Sequence, residues 1–183
     1  MMKHSYEYNA QVFVKRYFSC LTAMINIMHK PRERRSIANK IQEEFYTIYH
    51  RKVLIHYGIS RLAFITSNYV IKIDYSDEGF GTSEDELMLY ELAQQDGYAY
   101  LFAKPTRFEY NNITFYIMPR VYGIKGSHYD AEHYMTDDEL HWCSKHNLSD
   151  LHNGNFGLSH HKITIFDYAA WYCDDTSYNS YGA

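Results

Sequence analysis

Residues 150–167 read DLHNGNFGLSHHKITIFD, and this stretch carries most of the information about the fold and its chemistry. Its Asn-Gly pair is a turn signal, and the segments NFGL and KITIFDY, joined by SHH, are typical of two paired strands. Asp150 precedes the predicted hairpin, and Asp167 stands at its end. With Asn155, they supply one candidate base and two oxygen ligands, so the stretch predicts a polar site on a strand hairpin.

The pattern D-x-x-x-x-N from Asp150 to Asn155, followed by a hairpin and Asp167, is a layout suited to phosphoryl transfer. In kinases the first aspartate orients the acceptor hydroxyl, while the asparagine and the second aspartate hold magnesium against the nucleotide phosphates. DLHNGN resembles the catalytic loop of aminoglycoside phosphotransferases and choline-kinase-like enzymes, and IFDYA stands where kinases carry Asp-Phe-Gly. Short phage-encoded kinase-like proteins, with DLH-x-GN-x-G, look closer still. The resemblance covers about residues 58–168 and implies ATP and Mg²⁺ as cofactors.

Segments upstream of this stretch predict an α+β fold with an antiparallel sheet. Three segments are rich in β-branched and aromatic residues, which favour up to three antiparallel strands: VLIHY, RLAFIT and NYVIKIDY. A helical segment, ELMLYELAQQ, follows, and then RFEY and ITFYIMPRV flank Asn111-Asn112 and predict a second hairpin. Combined with the resemblance, this order implies a minimal protein-kinase-like fold, in which an antiparallel-sheet small lobe with one helix precedes a truncated helical large lobe.

The resemblance assigns nucleotide-binding roles to residues of the small lobe. YVIKI is similar to the kinase strand whose lysine contacts the α- and β-phosphates, which gives that role to Lys72. Its partner in kinases is a helix glutamate, and Glu86 is our choice because it stands one turn before Tyr90. Glu84 and Glu91 remain alternatives for the same pairing.

Two further parts of the nucleotide site follow from the same resemblance. The bend HYGISR occupies the position of the phosphate-covering loop, so Gly58 and Ser60 are candidates for phosphate contacts, although a plain turn is the other interpretation of a lone glycine. ITFYIMPRV occupies the position of the last small-lobe strand, and backbone groups near Met118 are candidates for hydrogen bonds to an adenine edge.

The chain divides on these grounds into three consecutive segments. Helical spacing of apolar residues over 10–28 and 32–50 predicts an N-terminal helical segment, 1–50. The small lobe then takes 51–119, and a truncated large lobe takes 120–183. Within the last segment, Thr136 followed by Glu139 is a capping-box pattern that predicts a helix through His146.

Charge and composition narrow the classes of partner. The formal net charge of −4 offers no general attraction to nucleic acid, and the basic run from Lys30 to Arg35 is typical of a solvated helix face. No run approaches the roughly 18 apolar residues that span a bilayer, and three cysteines without a paired motif fit a reducing compartment. We therefore expect a cytoplasmic protein, in the host cytoplasm if the chain is phage-encoded, without a membrane partner.

Two other functions compete with a working phosphotransferase. One is a catalytically weak or inactive kinase-like module that acts by binding a host protein, for which the 20 tyrosines offer contact area. The other is a metal-dependent hydrolase, because the sequence clusters acidic and histidine side chains that suit zinc or manganese: Asp150, His152, His160, His161 and Asp167. The phosphoryl acceptor, a protein or a small molecule, is left open.

Overall fold

A computed structural model describes nine stretches of the chain: residues 5–28, 34–47, 52–57, 61–75, 82–122, 133–148, 151, 155–159 and 162–168. These belong to two compact units. The sheet unit comprises Met1–Asp77 and Pro105–Arg120, and the hairpin unit comprises Glu78–Lys104 and Val121–Ala183. In the part of the chain that is described, no helix combines the length and the apolar character needed to cross a membrane.

The sheet unit is built on one antiparallel sheet in the order β1-β2-β3-β5-β4. Its strands are β1 (Leu54–Tyr57), β2 (Arg61–Ile65), β3 (Tyr69–Asp74), β4 (Thr106–Tyr110) and β5 (Ile113–Pro119). The predicted strands are thus confirmed, as is the α+β class. The turn between β4 and β5 is formed by Asn111 and Asn112, with φ of 49° and 60°, and this left-handed pair matches the twist of a tight hairpin.

Two N-terminal helices, α1 (Tyr6–Met28) and α2 (Arg34–Thr47), belong to the same unit. Alternate strand residues such as Phe64, Ile71 and Phe115 are fully buried in a core that these helices share. Aromatic rings join the two helices to each other and to the sheet, since Phe13 of α1 stacks on Phe45 of α2 with a centroid separation of 5.5 Å and lies 6.1 Å from the ring of Tyr69 on β3. The helices therefore form a layer on the sheet, which we call the helical layer.

The hairpin unit contains α3 (Ser83–Asp96), a 3₁₀ turn (Ala99–Leu101), α4 (Asp137–Lys145), β6 (Phe156–Ser159) and β7 (Lys162–Ile165). The capping box predicted at Thr136 and Glu139 is present and opens α4. A second capping box, between Thr82 and Asp85, opens α3. Each box satisfies backbone N–H groups that the first helical turn cannot pair internally.

Apolar residues from all these elements form a second core. Leu89 and Ala93 of α3 are fully buried in it, beside Phe156 of β6 and Ile165 of β7. Because α3 takes part in this core, residues 78–104 group with the C-terminal part of the chain. The units thus cut across the consecutive segments 1–50, 51–119 and 120–183 expected from the sequence.

Candidate functional site

Two predicted metal ligands, Asn155 and Asp167, meet at the open end of the β6–β7 hairpin. The register pairs Phe156 with Ile165, so the residues that flank these positions also lie side by side. The backbone carbonyl of Asn155 accepts hydrogen bonds from the N–H groups of Phe166 (2.8 Å) and Asp167 (3.4 Å). Asn155 is 8% exposed and Asp167 is half-buried. The hairpin thus holds the backbones of an asparagine and an aspartate side by side, and the side chains of both residue types are ligands that Mg²⁺ accepts.

The backbone on either side of Asp167 is fixed by contacts with residues 102 and 103. Ile165 forms a parallel bridge with Phe102, and its carbonyl accepts the N–H of Ala103 at 2.8 Å. The hydroxyl of Tyr168 donates to the carbonyl of Ala103 at 3.1 Å, and its ring lies 4.8 Å from that of Phe102. Asp167 therefore lies between two anchored residues, which reduces the entropy lost when its carboxylate engages a ligand.

Tyr168 is 3% exposed, and burial raises the pKa of its hydroxyl well above the usual value, with further contributions from Glu86 and Tyr90. The hydroxyl therefore stays protonated and serves as a donor. This role could not be predicted from the sequence, because a tyrosine that follows an aspartate indicates neither its own burial nor its hydrogen-bond acceptor.

We expect Tyr168→Phe to lower the free energy of unfolding by about 1–3 kcal/mol, because it leaves the Ala103 carbonyl without this donor in a buried place. Urea denaturation followed by circular dichroism measures the change. Tyr46→Phe is the matched control, since Tyr46 is 69% exposed. Equal denaturation midpoints for the two variants would contradict the role given to the hydroxyl.

Glu86 is fully buried on α3, whereas Glu84 is half-buried and Glu91 is exposed. A buried carboxylate is costly unless its charge is compensated, so burial singles out Glu86 among the three candidates. It takes part in interactions within the structure. Its pairing with Lys72 stays a prediction.

Lys72 lies on β3 of the sheet unit, opposite Ala63 of β2 and Tyr116 of β5. It is 6% exposed, although lysine is rarely buried to this extent. Strand alternation puts Lys72 on the face opposite the core residues Ile71 and Ile73.

Met118, the candidate for the adenine edge, is 1% exposed and lies opposite Val70. Because directly opposite residues share a face, Met118 lies on the same face of the sheet as Lys72. An apolar side chain and an ammonium group thus stand on neighbouring strands of one face. Beyond Met118 the strand ends at Pro119, and the Arg120 guanidinium donates to the carbonyl of Thr66 at 2.6 Å.

Several predicted residues lie outside the described part of the chain. These are the candidate base Asp150, the loop residues Gly58 and Ser60, and the histidines of the hydrolase alternative, His152, His160 and His161. Within the described stretches there is no group of three or more His, Cys, Asp or Glu residues arranged to hold a metal.

The chain segment that leads to Asp150 is described as far as Leu148. The left-handed Asn147, with φ of 58°, follows α4, and Leu148 is buried and donates its N–H to the Cys143 carbonyl at 2.9 Å. Trp142 anchors α4 to α3, because its indole N–H donates to Asp96 at 2.9 Å. The chain is therefore fixed up to the second residue before Asp150.

The need for a glycine at position 157 was not predicted from the sequence. A Cβ at this position would overlap the backbone carbonyl of Tyr122 and lie 2.7 Å from Cγ1 of Val121. Glycine inside a strand often marks such a close approach of another backbone, so the signal was present in NFGL. The neighbouring segment, however, is visible only in the folded unit.

Comparisons of the chain with protein-family models, with curated proteins and with solved structures found no match. The function is therefore inferred from the residues of this chain and from their geometry.

Proposed function

We propose that the protein is a kinase-like phosphotransferase that moves the γ-phosphoryl group of ATP, with Mg²⁺, to a hydroxyl of a protein or a small molecule. The observation that carries the proposal is the junction at the open end of the β6–β7 hairpin, where the Asn155 carbonyl accepts from the N–H of Asp167. An asparagine and an aspartate held together in this way fit the pair of metal ligands that kinases use.

Four side chains each have a role in the proposed transfer. Asn155 and Asp167 hold the ion through oxygen atoms, and Lys72 holds the α- and β-phosphates. Mg²⁺, when bound, neutralises charge on the phosphate oxygens. Asp150 orients the acceptor hydroxyl and accepts its proton as the acceptor oxygen bonds to the γ-phosphorus and the bond to the departing ADP oxygen breaks.

The order of the elements along the chain supports the nucleotide part of the proposal. Lys72 is on the third strand, and the next element along the chain is a helix that carries the buried Glu86. Protein kinases have a lysine on the third strand and a glutamate on the following helix in this order. In the proposal, backbone groups near Met118 contact the adenine, and Gly58 and Ser60 contact phosphate.

We infer from the same features a minimal protein-kinase-like fold and a nucleotide as the principal ligand. The second candidate is a catalytically weak or inactive kinase-like module that acts by binding a host protein. Retention of Lys72, Glu86, Asn155 and Asp167 favours catalysis, because a binding module has no chemical need for the complete set.

We expect Mg²⁺ with ATP to stabilise the protein by about 2.7 kcal/mol at a ligand concentration of roughly 100 times Kd. Lys72→Met is expected to remove most of this gain, because the phosphates lose their cation. Thermal unfolding with ATP, with ATP plus Mg²⁺ and with Mg²⁺ alone measures it. Lys52→Met is the control, because Lys52 is exposed. If Mg²⁺ with ATP left the melting temperature of the wild type unchanged, the proposal would be wrong.

Transfer is tested separately with radiolabelled ATP and a host lysate. Label that appears with the wild type and is lost in Asp150→Ala supports catalysis. Nucleotide binding without label transfer under varied metal ions supports the binding module instead. Stoichiometric zinc in the purified protein would favour the hydrolase.

A further inference from the structure

The two units carry opposite charge. The sheet unit holds 14 Lys and Arg against 7 Asp and Glu, a formal charge of +7, and the hairpin unit holds 4 against 15, a formal charge of −11. Their sum is the net −4 that argued against nucleic acid. The net charge of the whole chain therefore does not reveal that one unit is strongly basic. A ligand that approaches the protein responds to the charge of the surface near it.

The basic character extends to the exposed side of the helical layer. Lys15 and Arg16 are exposed on α1, and Arg35 and Lys40 are exposed on α2. Among the described residues of these helices, Glu43 is the one fully exposed acid, because Glu7 and Glu44 are partly buried. Among their described residues, the two helices therefore carry four exposed cations against one exposed anion.

The two cations of α1 lie beside aromatic rings. The Lys15 ammonium is 5.9 Å from the ring centre of Phe108 and 6.0 Å from that of Tyr110, and the Arg16 guanidinium is 5.5 Å from Tyr17. Such contacts favour particular positions for these long side chains while they stay exposed. A ligand that meets them finds partly ordered charges.

Two tyrosines are also exposed on these helices. Tyr8 is 51% exposed and lies two helical turns before Lys15, so both face the same side of α1. Tyr46 of α2 is 69% exposed. Cations that contact phosphate, combined with aromatic rings on which bases stack, are how proteins bind single strands without sequence preference.

A protein partner fits this surface less well. Stable protein interfaces have an apolar centre, and surface ion pairs alone contribute little to affinity. The large apolar side chains exposed on α1 and α2 are Tyr8, Val12 and Tyr46 in the part of the helices that is described. A polyanion needs no apolar centre, because release of its counterions drives binding.

We propose that the exposed side of α1 and α2 binds a single-stranded nucleic acid, with Lys15, Arg16, Arg35 and Lys40 on the phosphates and Tyr8 and Tyr46 stacked on bases. This activity is independent of the proposed phosphotransferase. It uses the face of the sheet unit that α1 and α2 cover, whereas Lys72 lies on the opposite face.

Fluorescence anisotropy of the full chain with a labelled oligouridylate of about 20 nucleotides tests the proposal. Four phosphate contacts predict an affinity that falls about 50-fold between roughly 50 and 200 mM salt. The double variant Lys15→Gln/Arg16→Gln is expected to bind more weakly and to reduce that fall to about sevenfold. Arg107→Gln is the control, because Arg107 is exposed on β4 and paired with Glu109.

A separate variant tests the stacking of tyrosine on the bases. Tyr46→Ala is expected to weaken binding about fivefold or more while the salt dependence stays the same. The proposal is overturned by absence of binding at low salt, by equal binding of polyglutamate and oligouridylate, or by Tyr46→Ala and the double variant both matching Arg107→Gln. Circular dichroism of each variant verifies that the helices remain folded.

Discussion

Asp167→Asn is expected to lower the rate of phosphoryl transfer by about 10²–10³-fold, the loss typical when one preorganised electrostatic group is removed from a reaction site. Asparagine keeps the size of the side chain but lacks its negative charge, so it holds a divalent cation poorly. The backbone bonds that fix this segment involve N–H and carbonyl groups and remain available in the variant. Steady-state kinetics at several Mg²⁺ concentrations measures the effect.

The control for this variant is Asp138→Asn, at an exposed position in the first turn of α4. It removes the same charge from the hairpin unit and is expected to leave the rate and its Mg²⁺ dependence unchanged. Urea denaturation of both variants separates chemistry from folding. If Asp167→Asn retained the wild-type rate at low Mg²⁺, the assignment of Asp167 as a metal ligand would be wrong.

Gly157→Ala is expected to lower the free energy of unfolding by about 1–3 kcal/mol, because overpacking a well-filled site forces neighbouring atoms to move. Here the nearest neighbour is the Tyr122 backbone carbonyl, which cannot turn aside as a side chain does. Relief requires a shift of β6 or of residues 121–122. Urea denaturation gives the magnitude, and the Mg²⁺ dependence of ATP binding shows whether the shift reaches Asn155.

Gly97 provides a contrast within the same unit. It ends α3 with φ of 87°, and a Cβ there would meet nothing within 4 Å. Gly97→Ala therefore introduces backbone strain of about 1 kcal/mol without a clash. Nucleotide binding should survive in Gly97→Ala and weaken in Gly157→Ala, and a wild-type stability for Gly157→Ala would refute the steric argument.

Local patterns in the sequence were sufficient for most of the elements. The β-branched run in NYVIKIDY and the Asn111-Asn112 pair predicted β3 and the β4–β5 hairpin, because strand and turn preferences act over a few residues. The capping box at Thr136 was confirmed for the same reason. The β6–β7 hairpin was predicted from NFGL and KITIFDY, whereas its register, with Phe156 opposite Ile165, was not.

Features that depend on distant contacts were not predictable in this way. No local pattern shows that Phe102 bridges Ile165, or that the helical layer and the sheet share a core. The hydroxyl of Tyr168 reaches Ala103, which is far away along the chain. Such contacts depend on how the elements pack, and a single sequence records them only as apolar or small residues at scattered positions.

The Phe102–Ile165 bridge also affects how the chain avoids unwanted association. A strand with an unpaired edge offers N–H and carbonyl groups that invite a strand from another molecule. Ile165 pairs with Phe156 on one side, and Phe102 and Ala103 cover it on the other. The end of the hairpin that carries Asp167 is thereby closed to strand addition, which protects it from aggregation.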